Sequence, residues 1–154
     1  QTIPETMAKT PRLPLPIPVR IGLVGDNGAV VPFSLAPDGP VFNEQVILIT
    51  DQTHRQAIYP ASSGHYVPSL LRNFSAPVIL QDDLSSSERL HLMAHDADMF
   101  NRWDAAQTLL ADQILAAASD PAGKINDSAV AALASAYANS LANPDLLDMF
   151  KSGL

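Results

Sequence analysis

Along the first half of the chain, apolar residues alternate with polar ones. In LPIPVRIGLV, Val19, Ile21 and Leu23 alternate with Arg20 and Gly22, the period of a strand with one buried face. The prolines at 14, 16 and 18 confine its beginning to an edge or an extended lead-in. Gly25-Asp26-Asn27-Gly28 follows with residues that tolerate positive φ, predicting a tight hairpin into Val30, Val31 and Phe33. A second turn, Pro37 to Pro40, precedes the strand VFNEQVILIT, and further short strands are expected near Arg55 to Tyr59, Leu70 to Phe74 and Val78 to Leu80. Eleven of the thirteen prolines precede residue 78, so helix is excluded over most of this half. About six short strands between turns suggest an antiparallel β-sandwich.

After Gln81 the period becomes helical. Ser85 to Ser87 offer N-caps, with Glu88 in the first turn of the helix that carries HLMAH. From Arg102 to Ala118, Trp103, Ala106, Leu110, Ile114 and Ala117 recur at three and four residues, predicting one buried stripe, and Asp120-Pro121-Ala122-Gly123 ends that helix. A third helix follows an Asn126 or Asp127 cap, with Val130, Leu133, Tyr137 and Leu141 on one side. Asn143-Pro144 starts a fourth through Leu147 and Phe150. Short links imply antiparallel helical pairs. The expected organisation is a β-sandwich over residues 1–81 and a helical segment over residues 82–154.

With 154 residues, 47% of them hydrophobic, the chain can bury a real core. Nine Lys and Arg against sixteen Asp and Glu give a net charge of −7 with no basic cluster, so nucleic acid is not an expected partner. The absence of Cys removes thiolate nucleophiles, disulfides and Cys-ligated zinc, and fits a cytoplasmic location. No apolar run approaches the roughly 18 to 20 residues of a membrane span, so no membrane association is expected. The chain begins at Gln1 without a leader pattern, which is read as a cut inside a longer protein.

His91 and His95 lie about 40 degrees apart around a helix, close enough to share a metal. A zinc-protease helix reads H-E-x-x-H because the Glu serves as base to the metal-bound water. Here that position is Leu92, and Ile114 stands nineteen residues past the second His, where such enzymes place their third ligand. The pair therefore reads as structural imidazoles, one solvated and one at a packing interface. Asp96 and Asp98 with His95 could form a carboxylate and imidazole cluster, yet six acidic against two basic residues from Gln81 to Asp104 favour a solvated face. Ser62-Ser63-Gly64-His65 is a turn without an evident triad, and Gly25 to Gly28 has too few carboxylates for a calcium loop. Arg102 and Trp103 pair a forked guanidinium with a Trp on the predicted stripe, an anchor for packing the helix against the preceding domain. The acceptor tripeptides at Asn73 and Asn126 carry no weight without a sign of secretion.

LMAHDADMFNRWDAAQ, Leu92 to Gln107, resembles the start of the C-terminal helical domain of bacterial aminopeptidase N, a gluzincin zinc metallopeptidase family. VPSLLRNFSAPVIL, Val67 to Leu80, resembles the last strands of that family's immunoglobulin-like domain, and LPIPVRIGLV with its hairpin resembles earlier ones. Met99 stands where the family commonly has Pro, Asn73 where Gly is usual, and His65-Tyr66 replaces Lys-Pro. The resemblance implies an immunoglobulin-like sandwich followed by the truncated opening of the helical domain. It implies a parent that releases N-terminal amino acids with a zinc-bound water and a Glu base, in a catalytic domain outside this chain. The chain alone is then expected to be inactive, with no catalytic, cofactor-binding or metal-binding residue, and peptides are substrates for the parent only. Its partners would be the parent's catalytic domain and the rest of the helical domain, and an uncovered helical surface could self-associate. Two alternatives are a free-standing immunoglobulin-like binding module with a helical appendage, and a small metalloenzyme using His91 and His95.

Overall fold

A computed structural model describes residues 13–121 and 124–141. Strand β1 (Ile17–Gly25) is the centre of a three-stranded antiparallel sheet, flanked by β3 (Glu44–Ile49) and β5 (Tyr66–Leu70). The short strands β2 (Phe33–Ser34) and β4 (Tyr59–Pro60) pair separately. In register, Ile21 faces Gln45 on one side and Leu70 on the other, and Val24 faces Val67.

The alternation in β1 sorts its side chains into two cores. Ile21 and Leu23 point to one side, where they bury Phe33 of β2 together with Val31, Ile47 and Ile58. This shared core makes the two sheets the layers of a sandwich. Val24 joins Val67 of β5 and the helical residues Leu92, Met93, Ala105, Leu109 and Ala136 in a second core. The sequence predicts one buried face for β1, but its second half, Ile21 to Gly25, is buried on both, because helices cover the face that Gly22 and Val24 present.

The predicted hairpin forms: Gly28 N–H donates to Gly25 O at 2.8 Å, and Val24 bridges Val30. Two predicted strands do not. Leu70 to Phe74 ends β5 and then tightens into a 3-10 turn, Arg72–Phe74, because Leu71, Asn73 and Phe74 have φ near +50° (56°, 54° and 49°) and cannot continue a ladder. Asn73 holds a left-handed conformation that Gly or Asn adopts at least cost. Val78 to Leu80 pairs with no strand and leaves Ile79 exposed.

Three helices follow: α1 (Ser86–His95), α2 (Met99–Ser119) and α3 (Asp127–Leu141). Ser85 caps α1 reciprocally: its hydroxyl accepts from Glu88 N–H, and the Glu88 carboxylate accepts from Ser85 N–H at 2.8 Å. The Ser85 hydroxyl and amide hold the Glu88 carboxyl below its ordinary range. Ser85→Ala removes the N-cap and should lower stability by about 1 kcal/mol at neutral pH in urea melts. A depressed carboxyl contributes stability that is lost as pH falls through its folded value, so the Ser85→Ala deficit should shrink in acid.

The predicted stripe on α2 is not the buried one. Asn101, Arg102, Ala105 and Leu109 face inward, whereas Trp103 is 57% exposed and Ile114 60%. Both sides of α2 are apolar, and periodicity selects the longer stripe. In α3, Asn126 is the cap, accepting from Ser128 and Ala129 N–H, and Leu133 packs on the core as predicted. Val130 and Tyr137 are exposed, and Ala136 is the buried residue instead. The predicted fourth helix from Asn143 lies outside the described residues. No described helix is long and apolar enough to cross a membrane.

Candidate functional site

The side chains with the most unusual surroundings lie where the helices meet the sheet. His91 Nε2 lies 2.8 Å from Gly25 O in the β1 turn, and the His95 ring covers Gly28 of the same turn. The two rings are 4.9 Å apart, centre to centre. Among the described residues, no group of three His, Cys, Asp or Glu is placed to hold a metal ion. Both rings lie against the turn that ends β1, and the pair spans from α1 to that turn. It joins α1 to the sheet, with His91 half-buried and His95 exposed.

The acidic residues beyond His95 differ from expectation. Asp96 is 0% exposed and Asp98 is buried, so the solvated face predicted for them is not found. Asp96 Oδ1 accepts from Asp98 N–H at 2.9 Å and pairs with Arg72 Nη2 at 3.3 Å. Its other oxygen has no partner of good geometry, although the Ser69 hydroxyl helps hold the charge. Burial pushes the Asp96 carboxyl up, opposed by Ser69, the Asp98 amide and Arg72. Asp98 caps α2 by accepting from Asn101 N–H at 2.9 Å, while its second oxygen accepts from Asn73 N–H at 2.7 Å. One carboxylate thus fixes both the start of α2 and the left-handed turn after β5.

Arg72, in the 3-10 turn after β5, is the contribution from the sandwich side. It is 6% exposed and spans from Glu44 of β3, at 3.3 Å, to Asp96. Arg20 of β1 also pairs with Glu44 at 2.8 Å, so two strands, the 3-10 turn after β5 and the α1–α2 link share one chain of charges. Sequence reasoning passes over Arg72, yet Gly22 inside a strand is the available signal. A Cβ there would sit 2.3 Å from Arg72 Nη1, so only glycine leaves the guanidinium its seat.

From the helices, Asn101 Nδ2 donates to Ser69 Oγ and Leu70 O, both at 2.8 Å. Arg102 turns back on α1, donating to Met93 O at 3.1 Å, Ala94 O at 3.3 Å and Asp96 O at 3.5 Å. Arg102 is buried as expected of a packing residue, but it holds α1 and the α1–α2 link rather than the preceding domain. Trp103 departs from the expectation, since its indole lies outside, against Phe100, which in turn meets Phe74. His65 pairs with Asp26 at 2.9 Å on the surface and has the carboxylate, not a serine, as its partner. Chemically, this region binds two structural layers together.

These features define a sheet and helix module held by a buried polar joint. The chain matches, over residues 1–83, a family described as "Domain of unknown function (DUF3458) Ig-like fold", and over residues 86–153 the companion "Domain of unknown function (DUF3458_C) ARM repeats". It belongs to that family. It is 38% identical over 111 residues to Aminopeptidase N of Caulobacter vibrioides, an alignment covering 71% of this chain and 13% of that protein. To Aminopeptidase N of Escherichia coli it is 37% identical over 114 residues, covering 74% and 13%. Among solved structures, Legionella pneumophila aminopeptidase A in complex with aspartic acid superposes with a TM-score of 0.58 at 26% identity, covering 76% of this chain and 12% of that one. The chain thus spans about an eighth of the relatives it matches. The resemblance to bacterial aminopeptidase N and the immunoglobulin-like sandwich followed by helices both stand.

Proposed function

We propose that this chain is a noncatalytic bridge in a zinc-dependent aminopeptidase that releases N-terminal amino acids from peptides. In this reading residues 1–81 are the bridging sandwich and residues 82–154 open the C-terminal helical domain. The observation that carries it is the buried joint of Arg72, Asp96, Asp98, Asn101 and Arg102, which spends the distinctive polar side chains on fixing two layers. Relatives named Aminopeptidase N supply the reaction class. The zinc, its ligands and the Glu base belong to a catalytic domain encoded elsewhere in the parent. The module's partners are that domain and the remaining helical domain, which seats on the outer side of α2 at Trp103, Leu110 and Ile114. The setting is cytoplasmic.

The purified chain should hydrolyse no aminoacyl anilide and retain no equivalent of zinc after dialysis, measured by elemental analysis. Co-expressed with the rest of such an enzyme, it should associate, and Trp103→Gln with Ile114→Gln should weaken that association while leaving its own melting nearly unchanged. Hydrolysis by the isolated chain with zinc bound would overturn the proposal.

A further inference from the structure

His91 and His95 stand one helical turn apart on α1, and both rings press on the turn that ends β1. A carbonyl only accepts, so His91 Nε2 carries the hydrogen it gives to Gly25 O, and Nδ1 is the bare nitrogen of the neutral ring. The His95 ring occupies the space that a Cβ on Gly28 would need: that atom would lie 2.8 Å from Nδ1, and Gly28 has φ of 78°. The turn, His91 and His95 therefore lie against one another, with 4.9 Å between the ring centres and the rings tilted by 47°.

We infer that the His91 and His95 pair is an acid-released catch between the Gly25 to Gly28 turn and α1. The charges around it decide this. From the turn, Asp26 faces His65 and pairs with it at 2.9 Å. On α1, the Glu88 carboxylate is bonded to Ser85, and beyond its end Asp96 points inward to Arg72. From α2 comes Arg102, a cation. Each nearby carboxylate has another partner, so a proton added to His95 meets His91 and Arg102 with no anion of its own.

Protonating His91 leaves its bond to Gly25 intact, since Nε2 already donates. His95 is exposed, but the Gly28 turn covers part of its ring, and protonating it places a charge near the His91 ring and Arg102 while the seated turn limits its hydration. In keeping with this, burial, and then the charges of His91 and Arg102, hold His95 below the ordinary histidine range. A depressed imidazole binds fewer protons folded than unfolded. Its contribution to stability is therefore complete above about pH 6.5 and is lost as pH falls from there through the folded value. Acid should unseat the turn before it unfolds the helices.

The test is an NMR titration of the 154-residue chain, with amide protection factors corrected for the intrinsic pH dependence of exchange. His95 should titrate below about 6.5, the unperturbed histidine value. Through the same midpoint the Gly28 and Val31 amides, bonded to Gly25 O and Leu23 O, should lose protection several-fold. The Asp96 amide, bonded to Leu92 O at the end of α1, should not. His95→Gln should abolish the pH dependence at the turn, and His91→Gln should raise the His95 midpoint toward its ordinary range. His95 titrating at or above that range, or turn amides indifferent to its midpoint, would refute the catch. So would loss of protection persisting in His95→Gln. Should His95→Gln fail to fold, the wild-type titration and His91→Gln decide the matter.

Discussion

Arg72→Ala will cost about 3–5 kcal/mol of folding stability at neutral pH, the range found when one partner of a buried ion pair is removed. The loss comes less from the contacts than from what remains. Asp96 is fully buried, and without Arg72 its carboxylate keeps the Ser69 hydroxyl and the Asp98 amide but no cation on the sheet side. Glu44 still has Arg20 and is more exposed, so the penalty falls mainly on Asp96. The pH dependence gives the cause away. Burial raises the Asp96 carboxyl, and deleting Arg72 removes one of the influences that lower it, so it rises further. A raised carboxyl contributes stability that is complete below its ordinary value and lost as pH rises through the folded value. The Arg72→Ala deficit, taken as a difference from wild type in urea melts, should therefore be largest at neutral pH and narrow in acid. Combining it with Asp96→Ala should cost far less than the sum, since each single change strands the other's partner. A deficit under about 1 kcal/mol, or one that widens in acid, would show that Arg72 is not the counter-charge.

The parts of this fold that could be read from the sequence are those set by neighbours along the chain. Gly25 to Gly28 dictates its turn, Ser85 and Glu88 write their own capping box, and Val19, Ile21 and Leu23 declare a strand. What stayed hidden depends on distant residues. Asp96 and Asp98 look like part of an acidic run, and nothing local tells that Arg72, 24 positions earlier, folds over to neutralise Asp96. Leu70 to Phe74 has the composition of a strand, but Asp98 pulls the Asn73 amide into a left-handed turn. In α2 the apolar spacing marks Trp103, Leu110 and Ile114, while the side that packs is chosen by the polar anchors Asn101 and Arg102. The family resemblance singled out FNRWDAAQ without giving its reason. Within it lie two consecutive residues of this joint, Asn101 tying α2 to β5 and Arg102 closing α1.

The second of those anchors yields a prediction about how one helix ends. The last carbonyls of an α-helix have no partner within the helix, and α1 is followed by Asp96 in extended backbone rather than by a glycine that would fold back on them. Arg102 takes that part, its Nε and Nη2 reaching Met93 O and Ala94 O and its Nη1 reaching Asp96 O, with its positive charge at the negative end of the helix dipole. Arg102→Ala should cost about 3 kcal/mol, because stranding even one buried acceptor costs roughly 1–3 kcal/mol. Arg102→Lys keeps the charge but offers a single ammonium where a planar fork served separate carbonyls, and should recover no more than about half of the loss. Trp103→Ala, one residue along on the exposed side, should cost within about 1 kcal/mol and so separates the joint from generic damage to α2. Exchange at the Asp96 amide reports the outcome directly, since its bond to Leu92 O closes the last turn of α1. It should speed markedly in Arg102→Ala, less in Arg102→Lys, and hardly at all in Trp103→Ala. A lysine that fully replaces Arg102 would mean that charge, and not the fork, ends the helix.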